Sequence, residues 1–153
     1  MKPKALFNLF AKSEAVTWTL LISALIARSF GIDSLVVTFA GGIHGAVFLG
    51  YAVTAALVGV NQRWGFGKTA LGIFLAIIPF ATLPFETSLK KTKSLEGAWR
   101  TQKSEDKRDD NWFDGLFRWF IARPIILIVV LVTFVVALFS FLLWLGPPDQ
   151  WFE

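Results

Sequence analysis

Four ionisable side chains lie in apolar surroundings and could do chemistry: His44, Tyr51, Glu14 and Glu86. His44 is the only histidine of the 153-residue chain and lies within the small-residue run GGIHGAVFLGY. Polar ionisable groups inside an apolar helix are costly, so each is a functional hypothesis by default. They predict either a proton path or hydrogen bonds that hold helices together.

Helical spacing indicates which of these groups can meet. Tyr51 follows His44 by seven residues, so both lie on nearly the same helical face. Glu14 and Tyr51 match in depth, and we expect the phenol to donate to the carboxylate. Glu86 is expected at the opposite membrane edge, too far to join Glu14, and near the lysines at 90–91.

A neighbouring helix offers His44 a hydrogen-bond partner. Pro84 has no backbone N–H, so the carbonyl of Phe80, four residues earlier, has no helical hydrogen-bond donor. This carbonyl is expected at a depth similar to that of His44. Hydrogen bonds of this kind between membrane helices are ordinary. The residues therefore favour a structural role for His44 over a functional one.

Most other chemistry is excluded or unsupported. The chain has no cysteine, and a single histidine makes a metal site unlikely in a monomer. The segment 65–69, GFGKT, resembles a phosphate-binding loop, but position 62 is Gln where that motif needs Gly. No nucleophile elbow and no nucleic-acid-binding motif is present. We therefore predict a non-enzymatic protein with no metal, no cofactor and no nucleic-acid partner.

Composition indicates a membrane protein of one domain. Hydrophobic residues make up 55% of the chain, and the mean hydropathy is +0.60. Nine of the fifteen lysines and arginines lie between Lys90 and Arg123, whereas the segment 124–145 has no charge. Uncharged apolar runs of about 20 residues are typical of membrane-spanning helices.

The predicted fold class is all-α, a polytopic helical bundle. Its core, residues 1–89, has three spans at about 8–32, 35–59 and 67–89, and Pro79 and Pro84 are expected to kink or partly unwind the second half of the third. The remaining segments are a charged linker at 90–110, expected to be mobile or interfacial, an interfacial helix at 111–123, a fourth span at 124–145 and a short tail at 146–153.

Local patterns predict how these helices begin and pack. The second span carries small residues at helical spacing, which let membrane helices approach closely: Gly41, Gly42, Gly45, Ala46 and Gly50. The interfacial helix shows one apolar face, with Asp114 and Arg118 off it: Trp112, Phe113, Leu116, Phe117 and Phe120. Asp33 or Ser34 and Asp110 or Asn111 are natural helix caps. Trp144 and Trp151 suit an interfacial belt.

Four ordered groups of residues within about 5–89 resemble a family of small bacterial membrane proteins. The groups are Glu14, Ala15, Thr17 and Trp18; Gly42, His44, Gly45, Phe48 and Tyr51; Gln62, Arg63 and Trp64; and Pro79, Phe80, Thr82, Phe85 and Glu86. The family is domain of unknown function 3817, the YdzA-like family. The resemblance implies an inner-membrane protein with a three-helix core and implies no activity, cofactor or catalytic residue.

Two hypotheses about function follow. Abundant packing features and sparse chemistry favour an accessory, scaffolding or assembly subunit whose partners are the lipid bilayer and other membrane proteins or further copies of the chain. The alternative is a small transporter or proton-coupled permeability protein that uses His44, Tyr51 and Glu14. Four spans and the positive-inside rule predict a bacterial inner-membrane protein with residues 90–123 cytoplasmic and the termini outside.

Overall fold

A computed structural model describes residues 1–146, so the predicted tail beyond Gly146, including Trp151, lies outside the described residues. The described chain is helical and contains no strand, which confirms the all-α prediction. It divides into two units, Met1–Ala98 and Trp99–Glu153. The helices are α1 (Pro3–Ser29), α2 (Leu35–Asn61), α3 (Phe66–Phe74), α4 (Thr82–Lys91), α5 (Trp112–Ile121) and α6 (Pro124–Leu145).

Three of these helices are long and apolar enough to cross a membrane: α1, α2 and α6. At 1.5 Å per residue, α1 and α2 are each about 40 Å long and form an antiparallel pair. Proline at the first turn starts α1, because the missing N–H has no helical partner there. Gly31, with φ +88°, turns the chain, and the Asp33 carboxylate accepts the Leu35 N–H at 2.9 Å, as predicted.

The predicted third span, 67–89, is not a continuous helix in the structure. It is a helical hairpin in which α3 leads to a 3₁₀ turn, Leu75–Ile77, and α4 returns. The indole N–H of Trp64 donates to the Ser94 carbonyl at 2.9 Å, so the two ends of the hairpin meet. The indole of Trp18, near the middle of α1, donates to the Ala76 carbonyl at the tip at 3.2 Å.

The two prolines act differently from the prediction. Pro79 lies in the break itself, where Phe80 has a left-handed backbone with φ +64°. Pro84 is the third residue of α4, where backbone N–H groups have no helical partner and proline is tolerated. Pro84 therefore belongs to the start of a helix and does not kink one, and the reversal occurs at 78–81.

Only some of the predicted small residues of α2 pack closely against another helix of the first unit. A Cβ added to Gly50 would clash with the Phe10 ring, whereas at Gly41 it would make ordinary contact with Leu21. Gly45 is half-buried, Ala46 is exposed, and a Cβ at Gly42 would meet nothing within 4 Å. A Cβ would also meet a neighbouring side chain at Gly59, against Thr69, and at Gly72, against Phe85.

The second unit pairs an ordered charged segment with an amphipathic helix. Asn111 caps α5 by accepting the Phe113 N–H at 3.3 Å. Of the predicted apolar face, Phe117 is buried beneath the Arg100 guanidinium, 5.6 Å from its ring centre. The other members, Trp112, Phe113, Leu116 and Phe120, are exposed or half-buried. No residue of α6 is buried within the described chain.

Candidate functional site

The candidate site is a buried polar cluster between α1, α2 and α4. Glu14, Tyr51 and Thr82 have no exposed surface, and Glu86 is 4% exposed. The Thr82 hydroxyl lies 3.0 Å from Glu14 Oε2, to which it donates, and 3.3 Å from the Ala11 carbonyl oxygen. This contact joins α1 to α4, and it exists because the hairpin brings α4 back along the first half of α1.

Glu86 lies in this cluster and not at the opposite membrane edge as predicted. It is one helical turn beyond Thr82 on α4, and its Oε1 lies 2.7 Å from Lys90 Nζ, a pairing the sequence did predict. In the amide orientation that satisfies both of its polar atoms, the Asn8 side-chain nitrogen donates to Glu86 Oε1 at 2.6 Å and to the Lys4 carbonyl at 3.0 Å. Glu86 therefore has a cationic partner and an amide donor.

The predicted hydrogen bond from Tyr51 to Glu14 is not formed. Within the described residues, Tyr51 Oη and Glu14 Oε1 are both buried and neither has a hydrogen-bond partner. The Tyr51 ring packs against Phe7, with ring centres 5.5 Å apart, and its phenol lies within electrostatic range of the Glu14 and Glu86 carboxylates. The cluster thus contains two polar atoms that no protein group satisfies.

His44 is buried, and its partner differs from the prediction. Its Nδ1 lies 3.0 Å from the Thr17 hydroxyl, which also donates to the Glu14 carbonyl at 3.0 Å. The Trp18 ring covers the imidazole, with ring centres 4.4 Å apart. The Phe80 carbonyl, the partner expected, instead accepts the Leu83 N–H at 3.2 Å. His44 therefore joins α2 to α1.

Sequence reasoning about chemistry did not single out Asn8, Thr17 or Thr82. All three are short polar side chains whose partners lie on other helices, so spacing along one helix does not reveal them. Thr17 and Thr82 do fall within the residue groups that carry the family resemblance. That placement was the one signal available for them.

A second polar centre lies within the unit Trp99–Glu153. Asp109 is 2% exposed, and its carboxylate accepts from the Ser104 backbone N–H at 2.8 Å and the Ser104 hydroxyl at 2.6 Å. It also pairs with Arg100 at 3.1 Å and with Arg118 at 3.2 Å. Arg100 reaches Asp114 on α5 at 2.8 Å as well. These bonds attach the charged segment to the polar side of α5.

Comparisons with known proteins identify the family to which the chain belongs. The model of the family described as domain of unknown function (DUF3817) matches residues 4–91, and the chain belongs to that family. The chain is 32% identical over 91 residues to SCO5905 of Streptomyces coelicolor, a protein named as a membrane protein. The match covers 58% of this chain and 11% of that relative. No solved structure matches the chain significantly.

Proposed function

We propose that this protein is an accessory subunit that docks on a larger bacterial membrane protein. The observation that carries the proposal is the exposed break at 75–81. There Ile77, Ile78 and Phe80 are 56%, 45% and 42% exposed. The Trp18–Ala76 bond sets the tip of the hairpin level with the middle of α1. Irregular backbone at membrane depth is tolerated against protein or water, and not against lipid.

The relative supports the same conclusion. In SCO5905 the matched segment is 11% of a much longer chain. A segment that lies within a larger membrane chain in a relative is compatible with packing beside other membrane-embedded segments. The whole relative's activity does not enter the proposal.

The fold also supports a revised orientation in the bacterial plasma membrane. Because the hairpin at 66–91 returns to the side where α1 begins, eight of the nine basic residues among positions 1–98 lie toward that side, and Arg28 lies toward the other. The positive-inside rule then makes this side cytoplasmic. Residues 99–123 carry eleven charged side chains and stay with it, because such a segment does not cross a bilayer unaided.

The docking surface can be tested by photo-crosslinking in native membranes. A photoreactive amino acid at Ile78 is compared with one at Leu25, which is 48% exposed on the regular helix α1. We expect the Ile78 probe to crosslink to an integral membrane protein that also co-purifies in mild detergent at fixed stoichiometry. The Leu25 probe is expected to react mainly with lipid.

Two results would contradict the accessory role. Crosslinks from Ile78 to lipid alone would show that nothing covers the break. Crosslinks that join only two copies of this chain, together with a pure homo-oligomer in detergent, would make the covered surface a self-interface.

Proton-coupled permeation remains the second candidate, because Glu14 Oε1 and Tyr51 Oη are buried without partners. It predicts that His44→Ala abolishes proton flux in vesicles while expression and assembly persist. The accessory role predicts instead that His44→Ala lowers thermal stability and leaves partner retention in place. The two readouts separate the candidates.

A further inference from the structure

We propose that Glu14, Thr82 and Tyr51 form a binding site for one monovalent cation of the sodium class. The proposal does not depend on the accessory role. It begins with charge: Glu14 is fully buried and forms no salt bridge within residues 1–146. A buried carboxylate without a positive partner is strongly unfavourable, so the group must be neutralised, either by a proton or by a bound cation.

The neighbouring carboxylate shows the contrast. Glu86 is balanced by Lys90 at 2.7 Å and bonded by Asn8 at 2.6 Å. Of the two acids in the cluster, Glu14 alone has no cationic partner among the described residues, so in its ionised form it would carry a single unbalanced negative charge. One monovalent cation balances it.

The atoms around Glu14 suit such an ion. Among the described residues, Glu14 Oε1 and Tyr51 Oη have no hydrogen-bond partner, and the Thr82 hydroxyl lies within hydrogen-bond range of both Glu14 Oε2 and the Ala11 carbonyl. All are oxygens, the ligand type that hard cations prefer. Among the described residues, no three His, Cys, Asp or Glu side chains converge as a metal site, and calcium takes six to eight oxygens with several carboxylates.

The helix break next to the cluster is a further argument. Thr82 is the first residue of α4, directly after the reversal at 78–81. Broken helices at membrane depth are a recurring setting for sodium sites in membrane proteins, where unwound backbone carbonyls coordinate the ion. The hairpin supplies this setting on one side of the cluster, and α1 supplies Glu14 on the other.

Equilibrium binding of radioactive sodium ion to the purified full chain in detergent tests the site, with choline chloride holding ionic strength constant. We expect saturable binding of about one ion per chain and a thermal midpoint that rises by about 5 °C at saturating sodium. Glu14→Gln should lower the affinity about tenfold or more. Glu96→Gln, at an exposed carboxylate, is the matched control and should bind as the wild type does.

Tyr51→Phe keeps the test decisive should Glu14→Gln fail to fold. The Tyr51 hydroxyl has no hydrogen-bond partner in the described chain, so its removal breaks no intramolecular bond, and we expect a folded protein with weaker sodium binding. If a proton or a water molecule occupies the cluster instead, the wild type will not bind sodium. That result would overturn the proposal. Unchanged binding in both variants would overturn it equally.

Discussion

Two adjacent carboxylates, Asp109 and Asp110, differ sharply in what their side chains contact. Asp109 is buried and binds Arg100, Arg118 and Ser104. Asp110 pairs with Lys103 at 2.5 Å while both side chains remain more than 60% exposed. Exposed ion pairs are weak because water and salt screen them. Removal of one partner from a buried network, by contrast, leaves the remaining buried charges without a counter-charge.

Asp109→Ala should therefore open the second unit locally, at a cost of about 3–5 kcal/mol in the free energy of opening. Asp110→Ala should cost at most about 1 kcal/mol. Hydrogen exchange of the full chain in micelles, read on the peptides covering 99–121, measures both. Equal protection in the two variants would show that Asp109 does not hold the segment to α5.

Two glycines of α2 make different contacts although both belong to the same small-residue pattern. Gly50 lies against the Phe10 ring of α1, so a larger side chain there must displace the ring. Gly42 faces open space within the chain. One glycine thus serves intramolecular packing, and the other leaves its surface available to a neighbour.

We expect Gly50→Leu to lower stability by about 1–3 kcal/mol through overpacking, and Gly42→Leu to change it by no more than about 0.5 kcal/mol. Thermal unfolding in detergent, followed by size-exclusion profile, gives the comparison. A larger loss in Gly42→Leu than in Gly50→Leu would contradict the α1–α2 contact described here. Loss of a partner from the stable Gly42→Leu protein would assign this face to assembly.

At the scale of the whole molecule, the hairpin at 66–91 changes which segments share a side of the membrane. Four spans would place residue 93 on the same side as residue 34. The structure places it with the start of α1, because Trp64 and Ser94 are bonded. This arrangement therefore predicts two crossings before the charged segment, where four spans in the whole chain would require three.

The absence of cysteine makes this topology directly measurable. Single substitutions Lys2→Cys, Ser34→Cys and Lys93→Cys are labelled with a membrane-impermeant thiol reagent in intact cells and in inverted vesicles. We expect positions 2 and 93 to react from the cytoplasmic side and position 34 from the other. Labelling of positions 34 and 93 from one side would restore the four-span arrangement.

The class of the protein and most helix positions could be predicted from local features of the sequence. Apolar run length and charge segregation are local properties, so α1, α2, α5 and α6 begin and end close to the predicted positions. The caps at Asp33 and Asn111 were also predictable, because a cap depends on residues adjacent in the chain. The same motifs indicated the family, which the match over residues 4–91 confirms.

The reversal within the segment 67–89 is visible only in the folded structure. The segment's length and hydropathy allow a span, and the prolines allow a kink or a reversal equally. The reversal depends on distant contacts, Trp18 to Ala76 and Trp64 to Ser94. That reversal brings Glu14, Thr82 and Glu86 together. Spacing along the sequence does not predict such contacts, because these side chains lie on different helices that meet only after the chain folds back.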